Sequence, residues 1–315
     1  MTSTSVQRAG IIGKLPSFAE FFAPPATPAA FARFEALLLD SMEWSLGRAG
    51  PPFAEAFARG AMYGFVFSDL AEPSAPLVGA LSPSHDSAGR QFPLAFAAPV
   101  TLDARALARP ELAPFSFEEL WTTSIEALGF GLAGDVARMQ ELAASLDATA
   151  LPDFEEAAAL YGSWSADLPI AELWPLLGLD GDPGLTLRWF LEAVAPLRTG
   201  ASTSLSLRVP LGALGGVGLC FWLDLLRRSV SWRGRLPSFF WSHDGQSGSA
   251  LIHLGKPPRQ TLAELWLPTG EHDEVADLVR ALDPNLAPHL AILPHGLAAI
   301  LGEGGRVAEL LQSLE

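Results

Sequence analysis

Two hexamers and two tripeptides hold the residue types and spacings in this chain that could do chemistry. Gly13-Lys14-Leu15-Pro16-Ser17-Phe18 places a glycine and a lysine in the order of a phosphate-binding loop, and a near copy, GRLPSF, returns at residues 234–239. Ser84-His85-Asp86 and Ser242-His243-Asp244 each carry the three residue types of a nucleophilic hydrolase. A phosphate loop needs a glycine five residues before its Gly-Lys pair and a Ser or Thr just after the lysine, for the anion cradle and for magnesium. Arg8 and Leu15 occupy those places and Pro16 removes a backbone donor, so the hexamer predicts no nucleotide site. Nor is it a duplicated unit. The first copy leads toward a long helical pattern, whereas Phe239-Phe240-Trp241 continues as an apolar strand. The shared element reads instead as a Leu-Pro device that closes or opens a strand beside a glycine.

The tripeptides fail as local triads because consecutive side chains on an extended segment point to alternate sides. No GxSxG elbow is present either. What stays open is a split site in which His85 or His243 meets a serine and a distant acid, which makes a hydrolase the alternative to a binding protein. The histidines at 85, 243, 253, 272, 289 and 295 form no HExxH, and no DxDxDG loop occurs, so neither metal nor cofactor is expected. His289 and His295 flank a segment that reads as a Pro-broken strand. Cys220 is the single cysteine and lies in the apolar run GVGLCFWL, where it reads as a small buried hydrophobe. Phe21-Phe22, Phe221-Trp222 and Phe239-Phe240-Trp241 read as core packing, with Trp241 kept as a candidate partner anchor.

These residues must be positioned by elements that the pattern lays out. Residues 9–15 read as a buried strand ended by Pro16. Thr27-Pro28 offers a helix start, and Phe31, Phe34, Leu37, Leu38, Met42 and Leu46 follow at helical steps, with Gly47 and Gly50 as the stop. A short helix is expected over 53–59. Apolar runs at 62–68, 76–82 and 92–100, separated by turn residues, predict an antiparallel meander. A helical pattern from Ser116, taken as its cap, runs to Leu146 and is interrupted by Gly129, Gly131 and Gly134. The prolines of 150–185 suggest a junction between lobes. Beyond it come a helix (184–197), a strand (203–209), a helix around FWLDLLRRSV, strands at FFWSHD and ALIHLGK, and a mostly helical tail. The fold class expected is α/β (α+β), a layered sandwich with a largely antiparallel or mixed sheet packed against helices, divided as residues 1–150 and 151–315.

With 315 residues, 49% of them apolar and 17% charged, the chain can fill a sizeable core. Its 35 acidic and 20 basic side chains give a formal charge of −15, and no basic cluster breaks the pattern, which argues against a nucleic-acid partner. The longest uncharged apolar run, 209–223, falls short of the ~20 residues that span a bilayer, and no leader pattern opens the chain. A cytoplasmic location is the corresponding expectation.

GIIGKLPSFAEFF followed by LSPSHDSAGRQFPLAFAAPV resembles the TagF (ImpM) family of type VI secretion accessory proteins. Gly13, Lys14, Leu15 and Pro16 match the first family element. Pro83, Ser84, Asp86, Gly89, Arg90, Phe92, Pro93 and Leu94 match the second. Ala19-Glu20 stand where the family carries Gly-Asp, so no role resting on that glycine carries over. The resemblance implies a post-translational repressor of secretion that works by protein contact, with a forkhead-associated scaffold as one partner and no catalysis. Alternatively, the chain would be a structural component of the secretion apparatus. Lys14, Asp86, Arg90 and Trp241 are the candidate motif and contact residues. In the turn that the second element forms, Asp86 is expected to bond following amides, with Gly89 supplying an unusual φ, and Arg90 either pairs with Asp86 or reaches out to a partner.

Overall fold

The computed structural model describes residues 4–23, 29–68, 71–146, 154–201, 204–230, 235–268, 275–280, 288, 290–302 and 304–314. The chain begins with β1 (Ser5–Val6), β2 (Gly10–Lys14) and β3 (Phe21–Phe22), then α1 (Ala29–Ala49) and α2 (Pro51–Ala58). The meander follows as β4 (Tyr63–Phe67), β5 (Leu77–Ser82) and β6 (Leu94–Thr101). A helical stretch comprises α3 (Ala104–Ala108), α4 (Ala113–Ser116), α5 (Glu118–Leu132), α6 (Val136–Leu146), α7 (Phe154–Asp167), α8 (Ile170–Leu176) and α9 (Pro183–Arg198). Then come β7 (Leu205–Pro210), α10 (Gly216–Val230), β8 (Ser238–His243), β9 (Gly248–Leu254), α11 (Thr261–Trp266), β10 (Val275–Asp277), α12 (His295–Gly302) and α13 (Val307–Gln312).

The strands form one sheet in the order β10-β7-β9-β8-β4-β5-β6-β2-β3, with β1 on β6; every pairing is antiparallel except β10 with β7. Both faces are covered, which is why the strands read as near-continuous apolar runs rather than as clean alternation. Val66, Val78, Ala80, Phe96 and Phe239 point to one face, where α5 and α10 pack. Phe65, Phe67, Leu77, Leu81 and Phe240 point to the other, under α1, α2 and α11. The result is a helix–sheet–helix sandwich, as the pattern predicts. The seam between the N-terminal and C-terminal strands is β4 against β8, with Gly64 opposite Trp241 and Val66 opposite Phe239.

Several expectations are refined. The first helix runs through Gly47 to Ala49 and stops at Gly50, whose φ of 55° breaks helical geometry. Thr27 and Pro28 lie outside the described residues. Ser116 does not cap α5: α4 starts a turn earlier at Ala113, with Pro114 in its first turn, Ser116 ends that helix, and Phe117 takes the cap position. The break between α5 and α6 is at Gly134, with φ 90°, while Gly129 and Gly131 stay helical. Residues 291–294 carry no strand; His295 opens α12, and His289 lies outside the described residues. β10 was not expected at all. On α10 every residue from Gly218 to Leu226 is buried, and Arg227 and Arg228 fold back onto Asp224 at 2.6 and 2.8 Å. Cys220 is buried there, and burial, reinforced by the charge of Glu111, pushes its thiol well above the ordinary range. No helix among the described residues is long and apolar enough to cross a membrane.

Candidate functional site

The two GxLPSF copies do opposite jobs at strand ends. In the first, Leu15-Pro16 closes β2; in the second, Leu236-Pro237 opens β8. The end of β2 is where three of the four candidate residues meet. Gly13 has φ 120°, and a Cβ there would lie 1.9 Å from the Pro93 carbonyl oxygen, so the strand approaches the β5–β6 connection more closely than any side chain allows. Ser84 Oγ donates to the Lys14 carbonyl at 2.6 Å and ties that connection to β2.

Asp86 is the centre of the arrangement, and its side chain has no exposed surface. Its Oδ1 accepts the backbone N–H groups of Ala88 (3.0 Å) and Arg90 (2.9 Å), while Gly89, at φ 79°, closes the turn by donating to the Asp86 carbonyl at 2.9 Å. Its Oδ2 takes Arg90 Nε at 2.7 Å and Lys14 Nζ at 3.1 Å. Lys14 Nζ also donates to the Arg90 carbonyl at 3.3 Å, and Arg90 Nη2 donates to the Ala19 carbonyl at 2.9 Å. Burial alone raises the Asp86 pKa. The Arg90 amide, the Lys14 ammonium, the Arg90 guanidinium and the Ala88 amide together outweigh it and hold the carboxyl well below the usual carboxylate range. The group is an internal lock that fixes residues 14–20 against residues 84–92.

Trp241 lies elsewhere. Four strand spacings separate β2 from β8, about 19 Å at the usual spacing. Its indole packs edge-to-face on Trp121, centroids 5.1 Å apart, and leans on Gly64, where a Cβ would come within 2.6 Å of Nε1. Around it opens a cleft of about 890 Å³, lined also by Met62, Ile125, Leu214, His243 and Ser249. The structure therefore joins Lys14, Asp86 and Arg90 in one site and puts Trp241 in another.

The chemistry that the tripeptides suggested is not assembled at either. His85 Nδ1 meets the Asp86 carbonyl at 2.9 Å. His243 Nε2 donates to the Gly212 carbonyl at 2.8 Å while its Nδ1 accepts the Gly245 N–H at 3.1 Å. Asp244 Oδ1 caps its own turn, accepting from Gln246 and Ser247 amides at 2.9 and 2.7 Å.

Residues 10–149 match the model of the TagF N-terminal domain, described as type VI secretion system-associated. These residues are similar to a TagF N-terminal domain. No curated protein matches the chain. Among solved structures, PA0076 from Pseudomonas aeruginosa PAO1 is similar at 19% identity, over 88% of this chain and 98% of that one, with a TM-score of 0.47. The two stretches that carry the sequence resemblance, Gly13–Pro16 and Pro83–Leu94, meet at the Asp86 lock, which gives their residue types a physical reason.

Outside the matched residues lies a buried polar network that sequence reasoning missed. Arg208 Nη2 meets Glu264 Oε2 at 2.6 Å and Arg208 Nε lies 3.6 Å from Asp277. Beside them Ser206 Oγ is 2.9 Å from His253 Nδ1, and Thr261 Oγ1 is 3.5 Å from Nε2. Since Thr261 donates its proton to the Pro258 carbonyl, Nε2 carries the imidazole hydrogen and Nδ1 accepts from Ser206. Burial, aided by the Arg208 charge, lowers the His253 pKa to about 3, so this Ser–His pair is neutral and sealed under α11. The available signal was Ser206 and Arg208 at alternate positions of a strand, both on one face.

Proposed function

We propose that this protein is a type VI secretion accessory protein that acts in the cytoplasm by binding a partner and represses secretion post-translationally, with a forkhead-associated scaffold as that partner. The observation that carries the reading is the type VI secretion-associated domain over residues 10–149. The lock supports it by offering a preformed surface. Arg90 is 64% exposed although its Nε and Nη2 are held, and Phe18, beside it in the chain segment that the lock fixes, is 41% exposed. A guanidinium already oriented loses less freedom when it meets a carboxylate or phosphate on a partner. Repression then needs only that the protein prefer one state of its partner over another. In this reading residues 1–150 are the recognition unit, and 151–315 form a lobe packed on it through the β4–β8 seam.

The experiment is capture of purified type VI components, the scaffold included, by the immobilised chain. Wild type retains a component, and Arg90→Ala weakens retention by about tenfold, as loss of an interfacial arginine does, while the far-UV circular dichroism stays unchanged. Lys14→Ala weakens it less. A wild type that retains no component overturns the reading; equal retention by both variants removes these residues from the interface.

A further inference from the structure

The cleft around Trp241 is one end of a longer furrow across the α5 face of the sheet. Its floor is the Trp121–Trp241 pair. One wall is the stripe Glu118, Thr122 and Ile125 of α5, which at four- and three-residue spacing lies on one face over about 10 Å of helix axis. The opposite wall is Leu214, Gly216 and Val217, where the turn Gly212–Leu214 enters α10. The central stretch holds about 270 Å³. Ile125, Leu214 and Trp241 also line the wider part toward His243. Phe115, Glu118 and Thr122 continue into a further 460 Å³, approximately, between α5 and α7.

Two features of the furrow call for a partner. Apolar side chains stand open on its walls, Ile125 at 42% and Leu160 at 54% exposure, where hydrophobic cover is missing among the described residues. The α7 end carries charge of a single sign: Glu118, Glu119 and Glu156 line it, and among the described residues none of the three has an ion-pair partner. Strand addition does not suit the place, because β8 is already paired on both sides, with β4 and β9. A nucleic acid or an anionic bilayer would be repelled by the same carboxylates.

We propose that the furrow is the docking site of a basic, amphipathic helix of a partner protein. Its apolar side lies on Trp241, Ile125 and Leu160, and its Lys/Arg side faces Glu118, Glu119 and Glu156. The inference rests on the reading that the protein works by protein contact, but it concerns a surface remote from the Asp86 lock.

The test is calorimetric titration of the full chain with a synthetic 18-residue Leu/Lys amphipathic helix, roughly 27 Å long, alongside a Leu/Glu analogue and a scrambled Leu/Lys peptide. The Leu/Lys helix binds one-to-one, with affinity that falls as salt rises, and the two controls do not bind. Ile125→Arg weakens binding by about tenfold or more, as does the triple variant Glu118→Gln, Glu119→Gln, Glu156→Gln. A second triple variant, Asp40→Asn, Glu43→Gln, Glu55→Gln, removes the same charge from the α1–α2 face and changes binding less than about twofold. Equal losses from the two triples would reduce the effect to net charge and overturn the proposal, as would no binding by wild type. A wild-type dimer dissolved by Ile125→Arg would assign the furrow to a second copy and overturn it too. Retention of a type VI component that survives both furrow variants sinks the furrow alone. Peptide binding in the furrow with no component retained sinks the functional reading alone.

Discussion

Ser84-His85-Asp86 and Ser242-His243-Asp244 are the same tripeptide in two surroundings, and the fold uses them differently. Each aspartate accepts two following backbone amides through one oxygen: Ala88 and Arg90 for Asp86, Gln246 and Ser247 for Asp244. That much is set locally, by an Asx-type turn. The difference lies in what reaches the second oxygen. Asp86 Oδ2, itself without exposed surface, takes Lys14 from β2 and the exposed Arg90 from its own turn. Among the described residues Asp244 Oδ2 takes only the Ser247 hydroxyl at 3.2 Å, in the open. The first tripeptide thus ties two distant segments together, and the second finishes a hairpin at the rim of the Trp241 furrow. Residue types that resemble a catalytic set acquire a role only from the strands that approach them.

The largest effect should come from Asp86→Asn. The amide keeps an acceptor for the turn but removes the charge that pairs with Lys14 and Arg90, and it leaves the mostly buried Lys14 ammonium without its counter-ion, the costly way to break an ion pair. The unfolding midpoint falls by several degrees at pH 7, measured by thermal or urea denaturation. The pH dependence fixes the cause. The folded-state pKa of Asp86 is depressed, so its contribution is present above the unfolded value of about 3.9 and is lost as pH falls below it. The gap between wild type and Asp86→Asn therefore narrows from pH 5 to pH 3. A gap that stays constant over that range would mean that packing, not charge, holds the lock.

The same contrast shows what was legible in the sequence. The turn half of the lock was readable because it is local, with Asp86, Gly89 and Arg90 within one turn; the arrival of Lys14 from β2 was not, because no local pattern joins residues 14 and 86. The meander was readable because strands covered on both faces become apolar runs. β10 was not, since its three residues carry no period and pair in parallel with β7, some 70 residues earlier. The buried pair Arg208–Glu264 was hidden for a related reason. Leu207 and Val209 face one core while Ser206 and Arg208 face the other side, a pattern that normally means solvent, and only the later arrival of α11 buries it. The furrow combines residues near 118–125, 214–217 and 241, which no local pattern joins.

His243→Phe has a smaller expected effect than Asp86→Asn. The ring keeps its volume but loses the bonds to the Gly212 carbonyl and from the Gly245 amide, net about 1–2 kcal/mol for two neutral hydrogen bonds in a half-buried place. Because Gly212 begins the turn that carries Leu214, the variant also loosens one furrow wall. Urea denaturation should show the loss, and the Leu/Lys helix should bind the variant more weakly than wild type. Unchanged stability would show that the tripeptide histidine does not brace the turn.

Asp244→Asn should have the smallest effect, and it tests the comparison most directly. Asparagine Oδ1 can accept the same amides of Gln246 and Ser247, so only the Ser247 hydroxyl contact and the charge are lost. The Ser247 and Gln246 amides hold the Asp244 carboxyl below its ordinary pKa, so the wild-type advantage exists above about pH 4 and fades below it. At pH 7 the melting temperature should move by less than about 2 °C, the range of exposed substitutions. If Asp244→Asn proved as damaging as Asp86→Asn, local turn bonding would account for both sites, and the partners brought to Asp86 by β2 would be incidental. A shift that small at Asp244, beside a large one at Asp86, assigns the difference to Lys14, the Arg90 guanidinium and burial, because each turn alike gives its aspartate two backbone amides.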